Sequence, residues 1–214
     1  MKQPVKCDPK ILQFLRKVEN KHIDYLVDVL TDNGRGRLVL SSSIKDLLLA
    51  EKVEQDYTEE GLRLLLHELQ EYGGHSLINK FRSNPLPYSE LLTDVHRKLN
   101  GSESQKKSAH QKEREIVLSL FGNEWQSLED HERWERCTKI KVVTGFFDMS
   151  AALDVDRKGS VTSLSTAANT ATFLGRKLFR SIRTDSYLLE ASRITIPFVA
   201  HIAMLKMLYP SETG

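Results

Sequence analysis

Apolar residues recur at three- and four-residue intervals through most of the chain, the spacing that places them on one face of an α-helix. This spacing predicts a first helix after Asp8 and Pro9, because aspartate caps helix N-termini and proline suits the first helical turn. A second helix follows, with Asn20 as its predicted cap, and a third, short helix spans Ser43 to Leu49. The N-terminal quarter is therefore predicted to be a series of short helices.

The strongest helical pattern begins after Thr58, which is the predicted cap of a fourth helix. The adjacent glycines Gly73 and Gly74 are predicted to end this helix, since glycine is the usual residue beyond a helix C-terminus. After Pro85 and Pro87 another helix is predicted. Its apolar stripe consists of Tyr88, Leu91, Leu92, Val95 and Leu99. Closely connected amphipathic helices of this kind are typical of an all-α fold.

The segment 100–110 is polar, rich in Ser and Lys, and nearly free of apolar residues, as linkers are. The sequence therefore predicts a compact multi-helix bundle, either as one domain or as two lobes joined by this linker. The predicted units are an N-terminal helical unit over residues 8–99 and a C-terminal helical unit over residues 111–209.

Three further helical regions are predicted in the second half of the chain, over residues 113–121, 127–140 and 187–208. Pro197 is predicted to kink or end the last of them, because proline lacks the N–H that a helix interior requires. That helix is therefore predicted to divide into Tyr187–Ile196 and Phe198–Leu208. The apolar-rich stretch Ile194–Leu208 is interrupted by polar residues and is predicted to be a buried helix, not a membrane span.

Composition indicates an ordinary globular protein, with 40% hydrophobic and 28% charged residues. A net charge of +2 disfavours nucleic acid as the partner. The two cysteines, Cys7 and Cys137, are far apart and in no CxxC pair, so a reducing compartment is expected. No secretory signal is recognised at the N-terminus. These features together predict a cytoplasmic protein.

Candidate catalytic chemistry is sparse in this sequence. The string at 154–165 resembles a calcium-binding loop, but Lys158 and Ser165 occupy positions where oxygen ligands are needed, so an ordinary turn is favoured. The sequence contains no HExxH, CxxC, GxSxG or phosphate-binding glycine loop. It therefore predicts no metal, no cofactor and no catalytic residues. An enzyme with a composite site assembled from distant residues stays open as an alternative.

The most suggestive binding feature is the segment 173–183, FLGRKLFRSIR. On a helix its apolar residues would lie opposite a basic group, Arg176, Lys177, Arg180 and Arg183. That arrangement suits an anionic membrane surface, a phosphate-bearing ligand or an acidic partner. A packed helix with a solvated basic face is the alternative.

Four segments resemble the YaaW family of uncharacterised bacterial proteins, which is sometimes grouped by name with ubiquinol–cytochrome c chaperones. They are residues 8–31, 68–82 with Gly73-Gly74, 86–99, and 193–206 with RITIP and its Pro197. The resemblance implies a helical fold and a bacterial origin, but no active site. Members of the family carry a long apolar stretch rich in Gly and Ala before RITIP, whereas residues 161–185 here are short and polar.

These observations predict a non-catalytic protein-interaction or assembly factor, chaperone-like in character, that binds another protein. The alternative is a peripheral protein of the inner-membrane surface, docking through the basic segment 173–183. The partner and the oligomeric state are left open by the sequence.

Overall fold

The computed structural model describes residues 5–35, 40–74, 85–100, 106–135 and 186–209. Within these ranges every regular element is helical and no strand is present, which confirms the predicted all-α class. The basic residues Arg176, Lys177, Arg180 and Arg183, the string 154–165 and Cys137 lie outside the described residues.

The first helix, α1 (Pro9–Leu15), begins as its sequence predicts. The Asp8 side chain accepts hydrogen bonds from the backbone N–H groups of Lys10 and Ile11, and Pro9 occupies the first turn. A second carboxylate oxygen of Asp8 accepts the backbone N–H of Tyr88 at 3.1 Å. One residue therefore caps α1 and fixes the start of a helix eighty positions further along the chain.

The next two helices are α2 (Asn20–Thr31) and α3 (Ser42–Glu54). The predicted cap of α2 is wrong: Asn20 is its first helical residue, and its side chain donates instead to the Gln55 carbonyl at 2.5 Å. The third helix extends further than predicted, because the Ser41 side chain caps it and Gln55 ends it in the left-handed conformation.

Helix α4 (Glu59–Gly74) spans the strongest apolar stripe, with Thr58 as its cap, as predicted. Helices α2, α3 and α4 each pack against the other two, and α1 packs on α4. The Gln70 side chain joins two loops inside this group, because it accepts from Asp8 N and donates to the Leu86 carbonyl. The buried apolar side chains of α4 are Leu62, Leu65, Leu66, Leu69 and Tyr72.

Helix α5 (Tyr88–Asn100) follows the two prolines, as predicted. Helix α6 (Ala109–Phe121) begins with a capping box between Ser108 and Gln111, in which each side chain bonds the other's backbone N–H. A 3-10 helix (Asn123–Ser127) and a short helical stretch at 130–135 come next. Trp125 is fully buried and stacks on Phe121 with ring centroids 4.5 Å apart.

The last helix, α7 (Ser186–Leu208), is a single element of 23 residues. The predicted division at Pro197 is therefore wrong. Proline inside a helix costs about 3 kcal/mol, but residues 194–205 are all buried, so packing on every side of the helix offsets this cost. Of the stretch Ile194–Leu208, which was predicted to be buried, residues 194–205 are buried and the last three are half-buried. Among the described helices, none combines the length and the apolar character that crossing a membrane requires.

The described residues form two compact units. The first contains residues up to 92 together with 186–199, and the second contains 93–135 together with 200–209. The chain passes from one unit to the other within α5 and again within α7. The predicted linker at 100–110 is only partly described and stays a prediction.

Candidate interaction surface

Helix α3 buries less of itself than its neighbours do. Only Leu48 and Glu51 are buried along its 13 residues. The opposite side carries Leu47, Ala50 and Val53 at i, i+3 and i+6, and we call these three residues the α3 row. Leu47 is 38% exposed and Val53 is 84% exposed. Of the large hydrophobic side chains in the described part of the chain, Tyr209 alone is also exposed to this degree.

Polar bonds hold α3 in place where apolar burial is small. At its C-terminal end, the Lys52 ammonium lies 2.5 Å from the Asp28 carboxylate of α2. The Gln55 amide donates to Asp24 at 3.0 Å, and the Tyr57 hydroxyl donates to the same carboxylate. Burial raises the pKa of Tyr57, and the bond to Asp24 raises it further, so the phenol stays a neutral donor.

A buried carboxylate joins α3 to the start of α4. Glu51 is only 5% exposed, and its Oε1 accepts from the Thr58 hydroxyl at 2.5 Å and from the Thr58 backbone N–H at 3.3 Å. The same hydroxyl accepts from Gly61 N at 3.0 Å, so Glu51 orients the cap of α4. Negative charge at a helix N-terminus is stabilising, which accounts for a carboxylate buried at this position.

Gly61 leaves the space that this carboxylate occupies. A Cβ atom at Gly61 would overlap both oxygens of Glu51. Helix interiors normally disfavour glycine by about 1 kcal/mol relative to alanine. Close approach of the Glu51 side chain is therefore the reason for glycine in the first turn of α4.

The surface around the C-terminal end of α3 is acidic. Glu54, Asp56 and Glu60 are all exposed, and among the described residues none of them has an ion-pair partner. The nearby cations are already engaged: Lys52 pairs with Asp28, while Arg16 and Arg63 both pair with Glu59. Glu54 and Asp56, which follow Val53 in the chain, therefore leave this end of α3 with unpaired negative charge among the described residues.

The second unit contains a polar cluster of a different kind. The His96 ring is 1% exposed, and its Nε2 lies 2.7 Å from Glu115 Oε2. The Lys107 ammonium lies 2.7 Å from the same oxygen. Hydrogen bonds from Lys107 and His96 hold the pKa of Glu115 below its usual value. The bond from His96 to Glu115 links α5 to α6.

Cys7 and His67 are two further titratable groups of the first unit. Burial raises the pKa of the Cys7 thiol, and the nearby Arg63 opposes this effect without cancelling it. The raised pKa keeps the sulfur protonated and therefore weakly nucleophilic. His67 Nδ1 lies 2.9 Å from the Lys6 carbonyl. Within the described ranges, no group of three or more His, Cys, Asp or Glu side chains could hold a metal ion.

A small groove lies where α1, α2 and α4 meet in the first unit. Its volume is about 200 Å³, and its rim includes Arg16, Asn20, Tyr57 and Glu59. The Arg16 and Glu59 side chains are bonded to each other at 3.1 Å across this region. The groove is smaller than the 300 to 1,000 Å³ that is usual, roughly, for small-molecule sites.

Comparison with curated proteins gives one consistent match. The chain is 25% identical over 126 residues to a protein of Escherichia coli K12 and to its counterpart in the O157:H7 strain. It is similar to UPF0174 protein YaaW. The matched segment covers 58% of this chain and 53% of YaaW, so the chain spans about half the length of the curated relatives it matches. No protein-family model and no solved structure matches.

The family-like elements named from the sequence are described only in part. Gly73 and Gly74 are the last two residues of α4, and Pro197 lies inside α7. The similarity to YaaW supports the resemblance predicted from these elements, and the name of YaaW states no activity. The basic group at 176–183 lies outside the described residues, so its role in binding stays a prediction.

The α3 row and the Glu51 contact were not predicted from the sequence. The predicted helix ended at Leu49 and so excluded Val53. One signal in the sequence could have indicated the row. The apolar residues of 44–53 are spread around most of the helix, so one buried face cannot accommodate all of them. The similarity to YaaW does not help to locate the surface, because the match assigns a function to none of its residues.

Proposed function

We propose that this chain is a non-catalytic protein-interaction factor, of an assembly or chaperone-like kind, and that the α3 row contacts its partner. We also propose that it belongs to the YaaW family and acts in the cytoplasm. The exposure of Leu47 and Val53 on one helix is the observation that carries this proposal. Exposed apolar side chains that lie close together are a feature of binding surfaces.

The support of α3 by polar bonds favours the same function. Lys52, Gln55 and Tyr57 attach the helix to α2, while Glu51 attaches it to the cap of α4. These bonds fix the position of α3, so the backbone that carries the α3 row needs little further ordering when a partner binds. Preorganisation of this kind lowers the entropic cost of association.

Replacing Leu47 and Val53 by glutamine should reduce partner recovery at least about tenfold, because two apolar side chains would no longer be buried on binding. The measurement is quantitative affinity purification from the native host under mild conditions. Both substitutions lie on an exposed face, so the helical content and the free energy of unfolding should change little.

A matched control replaces the exposed residues Gln13 and Gln126, which lie away from α3 in the sequence, by alanine. This variant should recover the same partners as the unmodified protein. Equal recovery by the Leu47→Gln/Val53→Gln variant and the control would exclude the α3 row as the binding surface.

A further inference from the structure

The charges around the α3 row restrict the kind of partner that it can bind. Glu54 follows Val53 directly in the chain, and Asp56 lies three residues after Val53. Asp46, next to Leu47, is 71% exposed and lies 3.8 Å from Lys45. Carboxylates therefore flank the apolar row along the chain, and two of them, Glu54 and Asp56, are without a cation among the described residues.

We propose that this surface binds a basic amphipathic helix of another protein. The inference rests on the proposed function and specifies the class of partner. Residues at i, i+3 and i+6 form a ridge that packs into the groove of a second helix. Lysine or arginine flanking the apolar face of that helix would meet Glu54 and Asp56.

Two other macromolecular partners are disfavoured by the same charges. An anionic membrane and a nucleic acid both present phosphates, which exposed carboxylates repel. The surface also differs from a groove for an acidic peptide, which would require unpaired Arg or Lys side chains. Complementary charges at the rim mainly accelerate association and make it sensitive to salt.

The test uses the full chain and two synthetic helical peptides. The peptides share one face of Leu and Ala and differ only in their flanking residues, Lys in one and Glu in the other. Fluorescence anisotropy should show binding of the Lys peptide, weakening as salt is added, and no binding of the Glu peptide. Equal binding of both peptides, or binding of anionic vesicles in preference to the Lys peptide, would overturn the inference.

Variants of the protein test whether its own carboxylates cause the preference for the Lys peptide. The Glu54→Gln/Asp56→Asn variant should bind the Lys peptide roughly tenfold more weakly and with a smaller salt dependence. The control Glu129→Gln/Asp130→Asn also removes two negative charges, one from a glutamate and one from an aspartate, but at exposed positions in the second unit. This control should bind the Lys peptide as the unmodified protein does. Equal losses in both variants would contradict a specific role for the acidic border.

The outcomes separate this inference from the proposed function. If the Leu47→Gln/Val53→Gln variant loses its cellular partner while the Lys and Glu peptides behave alike, the α3 row is a binding surface for a partner of other chemistry. If the apolar variant keeps its cellular partner, the proposed function itself fails.

Discussion

Lowering the pH from about 7 to about 4 should destabilise the protein by about 3 kcal/mol through His22 alone. This side chain is 2% exposed in the first turn of α2. Burial lowers the pKa of its imidazole from 6.5 to about 4, and the neighbouring Lys21 contributes to the shift while Glu19 opposes it. Its place near a helix N-terminus also disfavours a positive charge.

The sign follows from which state binds the proton. Between pH 6.5 and 4 the imidazole is protonated in the unfolded chain and neutral in the folded one. The unfolded state therefore binds more protons, and stability that is fully present above 6.5 is lost as the pH falls through 4. Urea unfolding at a series of pH values measures the change.

A His22→Gln variant separates this effect from the titration of carboxylates, which is common to both proteins. The difference in unfolding free energy between the two proteins should vary with pH in the window between 6.5 and 4 and be flat above it. Titration of the imidazole by NMR provides a direct check. An imidazole that titrates near its ordinary value, with parallel pH profiles for the two proteins, would refute the burial effect.

Replacing Gly61 by alanine should destabilise the protein by about 2 kcal/mol, although alanine is the better helix former. The added Cβ would displace the Glu51 carboxylate from beside α4. The Thr58 hydroxyl and N–H would then lose a charged acceptor. Hydrogen bonds to charged groups contribute about 1.5 to 3 kcal/mol, which outweighs the gain in helix propensity.

A double-mutant cycle tests this contact directly. In a Glu51→Ala background the space beside Gly61 is empty, so Gly61→Ala should be neutral or stabilising by up to about 1 kcal/mol. Urea unfolding of the four proteins gives the coupling. The same loss of stability in both backgrounds would show that Gly61 is required by its backbone and not by Glu51.

Local sequence signals predicted much of the helical framework. The Asp8 and Thr58 caps are visible because a cap and the N–H groups that it accepts lie within three residues. The stripes of α4 and α5 are visible because one face is buried and the other is not. Asn20 was misassigned as a cap because its side chain bonds Gln55, 35 positions away. Pro197 was misjudged because burial along all of residues 194–205 outweighs a local preference.

The α3 row could not be predicted from the sequence, because its exposure depends on contacts between residues that are far apart in the chain. Whether Leu47 and Val53 are exposed depends on which side of α3 meets α2 and α4, and the even distribution of apolar residues around α3 leaves that choice open. The Lys52–Asp28 and Tyr57–Asp24 bonds join residues 24 and 33 positions apart. Counting charges gives a nearly neutral protein, whereas among the described residues the carboxylates Glu54 and Asp56 at the end of α3 have no ion-pair partner.

Site-specific photo-crosslinking from α3 in the native host tests whether the α3 row contacts a partner protein. A photoreactive residue in place of Val53 should produce a discrete crosslinked partner, and the same residue in place of Gln13 on the exposed side of α1 should not. The crosslink from position 53 should disappear when Leu47 is also changed to glutamine. Identical products from both positions, or no product from position 53, would show that the α3 row is not the binding surface.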